Sequence, residues 1–233
     1  MKLRLLAVAL AVSTLAAGAA AAQDMTSEKG KLSYALGYDL GRNLAESGEA
    51  IDVNTVIKAV QDGYTKKEPG VPVDQLRLAV ENMQKRQQAK MQAEFNKLAA
   101  DNKAKSDAFL AQNKAKAGVK ILPSGVQYRV VEPGNGAKPN QTSDVQISYK
   151  GTLPDGTVLI DTAEAREGQP AGPVSMKVNQ IPLVGLREVL TQMPSGARWE
   201  VVLPGDKAYG STIQAGRMAN QAVVFDVKLV SVK

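Results

Sequence analysis

The C-terminal half of the chain consists of short apolar runs separated by turn residues. In the last run, Val223, Phe225, Val227 and Leu229 occupy every second position, which is typical of a strand with one buried face. Four earlier runs are also rich in β-branched residues and read GVQYRVVEPGNG, DVQISYKG, GTVLIDT and ARWEVVLPGD. Between them, VGLREVLTQMPSG (184–196) has the pattern of a brief amphipathic helix that Pro194 and Gly196 terminate. We therefore predict an α+β domain over residues 119–233, with a twisted antiparallel sheet and one short helix across it.

The N-terminal half has helical periodicity instead. Leu32, Leu36, Leu40 and Leu44 recur every four residues and form one apolar stripe. A second short helix is predicted to begin after Asn54 as its N-cap. Two helices of this size cannot enclose a core. We expect residues 23–72 to form a helical module. The apolar faces of its two helices are expected to pack on each other and on a second copy of the chain.

A long stretch without Pro or Gly follows, from Val73 to Ala117, and its composition favours one long helix. Gly118 is the predicted C-cap, which gives a linker helix over residues 73–118. The apolar positions are sparse. We expect the first half, to about Leu98, to pack on the N-terminal helices or a partner, and the rest to be a solvated spacer.

The first 22 residues have the pattern of a secretory signal peptide. Lys2 and Arg4 precede an apolar stretch from Leu5 to Leu15, and three alanines end at position 22. The alternative is a retained membrane anchor, but the apolar stretch is shorter than the roughly 20 residues that span a bilayer. We expect export to the periplasm, and association with the outer membrane stays open. No Cys is present at the cleavage point to carry a lipid.

Composition excludes several kinds of chemistry. The chain has no Cys and no His, so it has no thiol nucleophile, no disulfide and no Ser-His-Asp machinery. Its net charge of +6 falls to +4 when Lys2 and Arg4 are removed, and no basic cluster indicates a nucleic-acid partner. We predict no cofactor and no metal.

Three segments carry a resemblance to a known family. VQISYKGTLPDGTVLIDT, VGLREVLTQMPSGARWEVVLPGDKAYG and AVVFDVKLVSV resemble, in order and spacing, the FKBP-type peptidyl-prolyl isomerase domain. LSYALGYDLGRNL, IDVNTVIKAVQDGY and the long helix look like the dimerisation module of the secreted Mip and FkpA group. The resemblance implies an exported homodimer that acts on unfolded or proline-containing polypeptides.

The resemblance also implies an apolar cleft between the short helix and the sheet, in which a prolyl ring is held. The implied catalytic residues are Tyr149, Asp161 and Tyr209, with Asp161 held against Tyr149 at the rim. The implied lining residues are Leu183, Leu186, Met218, Phe225, and either Leu159 or Ile160. The last choice stays open because the chain has one residue more here than the family pattern.

Three departures from the family pattern predict a weak enzyme. Leu186 replaces the tryptophan of the pocket floor, an aliphatic residue replaces a wall phenylalanine, and the polar segment AGRMANQ replaces an apolar loop. Less flat aromatic surface is left for a prolyl ring. We expect low activity and weak binding of macrolide inhibitors. The alternative is a non-catalytic holdase chaperone on the same scaffold, which the retained Tyr149, Asp161, Tyr209 and Phe225 disfavour. A purely helical scaffold leaves the C-terminal half unexplained.

Overall fold

A computed structural model describes residues 24–165, 168 and 170–233. The predicted signal peptide lies outside these residues. The described residues form two compact units that divide between Met83 and Gln84. The helices are α1 (Glu28–Glu46), α2 (Val53–Tyr64), α3 (Val73–Lys114) and α4 (Val184–Leu190). None of the helices in the described part of the chain combines the length and apolar composition that a bilayer crossing requires.

The first unit contains α1 and α2, and neither helix has a buried residue. Leu32 and Leu36 of the predicted stripe are each more than 60% exposed. The N-cap of α2 is Asp52 and not Asn54, so that prediction was wrong. Asp52 has extended backbone, and its carboxylate accepts from the N–H groups of Asn54 and Thr55, which lie inside the helix. These hydrogen bonds lower the pKa of Asp52.

The long helix ends at Lys114, four residues before the predicted boundary at residue 118. The N–H of Lys116 donates to Asn113 and that of Val119 donates to Lys116, so the chain leaves the helix through two successive turns. Gly118 has a φ of +79° and lies in the second turn, so it is not the C-cap of the helix.

The second unit is built on one antiparallel sheet, which confirms the α+β prediction. Among the described residues it contains seven strands: β1 (Val119–Ile121), β2 (Gln127–Glu132), β3 (Asp144–Thr152), β4 (Val158–Asp161), β5 (Val174–Lys177), β6 (Arg198–Leu203) and β7 (Val223–Val232). Their order is β1-β2-β6-β7-β3-β4, and β5 also pairs with β3.

One face of this sheet and α4 enclose the core. The alternation predicted for β7 is confirmed, because Val223, Phe225, Val227 and Leu229 are all buried. The helix α4 lies very close to β6: a Cβ atom on Gly185 would stand 2.7 Å from Cδ2 of Leu203. Glycine at this position lets α4 press Leu186, Val189 and Leu190 into the core, where they are buried.

The second half of α3 is not a solvated spacer, and that prediction was wrong. Ala99, Asn102, Ser106 and Asn113 are buried in the unit that contains the sheet. Asn113 donates through Nδ2 to Oε1 of Gln127 at 2.9 Å, and Nε2 of Gln127 donates to the carbonyl of Leu110. Small polar residues make this contact, so the sparse apolar pattern of the helix gave no sign of it.

Candidate active site

The two residues predicted for the floor of the site lie in β7 and α4. Phe225 of β7 and Leu186 of α4 are nearly fully buried and belong to the same apolar cluster. Gly151 of β3 lies opposite Phe225, and a Cβ atom on Gly151 would stand 2.7 Å from Cε1 of the ring. Glycine at position 151 therefore makes room for the Phe225 ring.

The strand pairing distinguishes Leu159 from Ile160. In the β3–β4 ladder Thr152 pairs with Val158 and Gly151 pairs with Ile160, so Leu159 is the extra residue of a β-bulge. Ile160 then lies beside Phe225, because both would touch a Cβ atom on Gly151. It also lines a narrow cavity of about 20 Å³ together with Tyr149 and Asp161. The bulge accommodates the additional residue at Leu159, and the wall role of Ile160 stays a prediction.

We call four half-buried residues of the predicted site the rim. Tyr149, Ile160, Leu183 and Met218 are partly exposed and pack on the buried cluster. The rings of Tyr149 and Phe225 meet edge to face, with centroids 6.2 Å apart. An apolar floor with a partly open apolar rim can accept an apolar ring and exclude water around it.

Asp161 ends β4 at the edge of the rim. Its carboxylate pairs with Nζ of Lys150 at 3.1 Å and accepts from the N–H of Ala163 at 2.9 Å. The side chain is mostly buried between these groups. Asp161 and Tyr149 line the same narrow cavity, and the direct hydrogen bond between them stays a prediction.

Tyr209 lies in the turn that follows the 3₁₀ segment Gly205–Lys207. Its side chain is 40% exposed, and its hydroxyl makes no hydrogen bond to any residue of the described ranges. The preceding residue, Ala208, packs on the cluster that contains Phe225 and Leu186. The hydroxyl is therefore available to donate to a bound molecule.

Leu183 is the N-cap residue of α4. Its carbonyl accepts from the N–H groups of Leu186 and Arg187, both at 3.1 Å. Within the described residues, its own N–H donates to no acceptor. This leaves a backbone donor at one of the predicted lining residues.

The one tryptophan of the sequence, Trp199, lies away from the α4 position at which the family has its floor tryptophan. It lies in β6 and stacks on Tyr128 with ring centroids 4.5 Å apart. Its neighbour Arg198 forms a bidentate pair with Asp226, at 2.6 and 2.8 Å, and this pair raises the pKa of Arg198. No group of three or more metal-ligating side chains occurs among the described residues.

Sequence reasoning missed the residues that fix the loop after Tyr209. Asn220 has a φ of +59°, and its N–H donates to the carbonyl of Gly210 at 2.8 Å. Its partners on α3 include Ser106. The signal was present as small polar residues at positions 102, 106 and 113 of α3, a spacing that places them on one face together with Ala99.

Comparison with known proteins identifies the family. Residues 29–130 match the model of the domain amino-terminal to FKBP-type peptidyl-prolyl isomerase, and residues 135–230 match FKBP-type peptidyl-prolyl cis-trans isomerase itself. The chain is 42% identical to the outer membrane protein MIP of Legionella longbeachae, over 100% of this chain and 99% of that protein. The chain belongs to the FKBP-type peptidyl-prolyl cis-trans isomerases.

Two further comparisons agree with this assignment. The peptidyl-prolyl cis-trans isomerase Mip of Coxiella burnetii is 35% identical, over 91% of this chain and 90% of that protein. The crystal structure of FkpA from Escherichia coli has a TM-score of 0.66 and 29% identity, and the match covers 89% of this chain and 98% of that one. The function predicted from the sequence, a peptidyl-prolyl isomerase that assists protein folding, is thereby confirmed at the level of the family, and the holdase alternative is not favoured.

Proposed function

We propose that this FKBP-type isomerase binds the prolyl ring of its substrate on the floor formed by Leu186 and Phe225. The rim residues Tyr149, Ile160, Leu183 and Met218 surround the ring. Two observations carry the proposal: the predicted lining residues all belong to or pack on one apolar cluster, and the Tyr209 hydroxyl and the Leu183 N–H donate to no acceptor among the described residues.

The chemistry follows from the amide itself. Resonance gives the C–N bond partial double-bond character and a rotation barrier of about 18–20 kcal/mol. Rotation decouples the nitrogen from the carbonyl, so the twisted amide is less dipolar than either planar form. An apolar surface that excludes water therefore favours the twisted form relative to the planar ones. No proton has to move, which suits a chain that has neither His nor Cys.

Each polar group then has a binding role. Tyr209 donates to the substrate carbonyl, and the Leu183 N–H holds the residue after the proline. Asp161, which Lys150 holds at 3.1 Å, places a fixed negative charge at the rim next to Tyr149. These contacts orient the peptide while the ring stays on the apolar floor.

The floor predicts a weak enzyme. Leu186 offers a branched aliphatic surface where the family usually has a tryptophan, and Ile160 replaces a wall phenylalanine. Aliphatic side chains exclude water but give a prolyl ring less flat contact area. Macrolide inhibitors are expected to bind weakly for the same reason.

The first unit supports an exported homodimer. Because α1 and α2 bury none of their residues in the single chain, their apolar side chains need a partner, and a second copy presents the same stripes. The name of the Legionella relative, an outer membrane protein, favours a cell-envelope location. We propose that the signal peptide directs the chain to the periplasm, where the clients are unfolded or proline-containing polypeptides.

The test is a cis-to-trans assay on a short X-Pro peptide with residues 24–233, with and without a macrolide inhibitor. We expect slow but measurable turnover that the inhibitor reduces. Asp161→Asn should lower turnover, whereas Asp144→Asn should not, although both carboxylates pair with a lysine of a neighbouring strand. Equal turnover in the two variants would remove Asp161 from the site. A chain that shows no turnover and still suppresses aggregation would support the holdase alternative.

A further inference from the structure

The segment that carries Met218 is bound to the linker helix. We call residues 215–222 the rim loop. Asn102 donates through Nδ2 to the carbonyls of Arg217 and Ala219, at 3.1 and 2.9 Å, on either side of Met218. Ser106 donates through Oγ to the carbonyl of Asn220 at 2.8 Å and accepts from the N–H of Ala222 at 2.7 Å.

The rim loop returns two further hydrogen bonds to the helix. Nδ2 of Asn220 donates to the carbonyl of Ala99 at 3.1 Å, and Nε2 of Gln221 donates to Oδ1 of Asn102 at 3.0 Å. Asn102 and Ser106 are no more than 4% exposed, and their side-chain polar atoms are all used. A buried network with its groups satisfied fixes one relative position of its parts, because any slip leaves a buried polar atom without a partner.

The network continues from the rim loop to Tyr209. The N–H of Asn220 donates to the carbonyl of Gly210 at 2.8 Å, and Gly210 follows Tyr209 directly. The two segments are also in close contact, since a Cβ atom on Gly205 would lie 2.5 Å from the carbonyl carbon of Asn220. Asn220 therefore connects α3 with the turn that presents the proposed catalytic hydroxyl.

We propose that Asn102, Ser106 and Asn220 are positioning residues of the isomerase. The linker helix then contributes to catalysis, because Asn102 and Ser106 on its polar face set the positions of Met218 and of the Tyr209 hydroxyl. This inference rests on the function proposed above for the cleft. It extends that function by placing determinants of turnover on a helix that precedes the isomerase domain in sequence.

The experiment measures X-Pro turnover of residues 24–233 and of three variants: Asn102→Ala, Ser106→Ala and Asn220→Gly. Glycine adopts the positive φ of position 220 without strain, so the last change removes only the side-chain bond to Ala99. Asn96→Ala is the matched control, because Asn96 is exposed on the same helix and its one side-chain partner is Gln92. Tyr209→Phe is measured in parallel.

We expect kcat/KM to fall about tenfold in Asn102→Ala and several-fold in the other two variants, because a misplaced donor stabilises the transition state less. The control should match the wild type. A second readout separates positioning from stability. Far below the unfolding midpoint, the amide resonance of Gly210 should shift in all three variants, and that of Asn220 should shift in Asn102→Ala and Ser106→Ala, while those of β6 and β7 stay in place. Should Asn102→Ala not fold, Ser106→Ala and Asn220→Gly still carry the test.

Wild-type turnover in the folded helix variants, beside an impaired Tyr209→Phe, would overturn the inference and leave the proposed cleft intact. Wild-type turnover in Tyr209→Phe itself would remove the proposed site, and the inference with it. If turnover is lost only near the unfolding temperature, the network stabilises the fold without positioning the catalytic groups. That result would also overturn the inference.

Discussion

Gly151 lies directly opposite Ile160 in the sheet, and a Cβ atom on Gly151 would stand 2.9 Å from Cγ2 of Ile160. The same atom would stand 2.7 Å from the Phe225 ring. Because Gly151 has no side chain, Ile160 of the proposed wall and Phe225 of the proposed floor can both occupy the space beside its Cα atom. The shape of the cleft depends on that absence.

Gly151→Ala should consequently damage both the fold and the site. The added methyl group must displace Ile160 or Phe225, and overpacking of this kind costs roughly 1–3 kcal/mol of unfolding free energy. Turnover measured on the folded fraction should fall as well, because the floor moves. Urea unfolding and the X-Pro assay measure the two effects. Gly70→Ala is the control, since a Cβ atom there meets nothing within 4 Å, and equal behaviour of the two variants would contradict the packing account.

The sequence predicted those elements of the fold that are marked by the order of apolar and polar residues. The alternation of β7 predicted its buried face, and the turn residues around α4 predicted that helix. The contact between α3 and the rest of its unit was missed because Asn102, Ser106 and Asn113 make it through polar side chains. Polar residues on a helix are ordinarily expected to face solvent. The wall position was left open because a β-bulge depends on strand pairing, and only the ladder shows that Leu159 is the extra residue.

A charge on the apolar stripe of α1 should separate the proposed dimer. Leu36→Lys introduces an ammonium group into a face that a second copy must bury, and an unpaired buried charge is unfavourable. Sedimentation equilibrium should report the mass of one chain rather than two. Turnover of a short peptide per chain should stay unchanged, because the proposed site lies in the unit that begins at Gln84.

Ile121→Lys is the matched control for that change. Ile121 is an exposed apolar residue of similar size in the sheet unit, so its replacement should leave the mass at two chains. If Leu36→Lys also keeps the mass of two chains, the helices α1 and α2 do not form the interface in the way proposed.

The turn before β4 should show a defined pH dependence. The N–H of Thr157 donates to the Asp155 carboxylate at 2.9 Å and lowers its pKa below the usual 3.8. A lowered pKa in the folded state means that the ionised carboxylate stabilises the fold above about pH 3.8, and that this contribution is lost as the pH falls through the lowered value.

Asp155→Asn keeps an oxygen acceptor but removes the charge. The variant should be slightly less stable than the wild type at neutral pH, and the difference should vanish at a pH below the lowered pKa. Urea unfolding of both proteins at several pH values measures it. A difference that grows as the pH falls would have the wrong sign and would contradict the assignment.

Turnover itself should not depend on pH between about 6 and 8. The chain has no His and no Cys, the side chains that ordinarily titrate in or near this range, and rotation of the amide needs no proton transfer. The X-Pro assay at constant ionic strength measures this, with the uncatalysed rate subtracted at each pH. A sigmoid or bell-shaped profile would show that a titrating group takes part in the rate-limiting step.

The measurement that tests the central claim most directly compares Tyr209→Phe with Tyr128→Phe in the X-Pro assay. Both changes remove one phenolic hydroxyl from the sheet unit, but only Tyr209 stands beside the proposed cleft, whereas Tyr128 stacks on Trp199. The account predicts that kcat/KM falls about tenfold in Tyr209→Phe, equivalent to roughly 1.4 kcal/mol, and is unchanged in Tyr128→Phe. Equal turnover in the two variants and the wild type would contradict it.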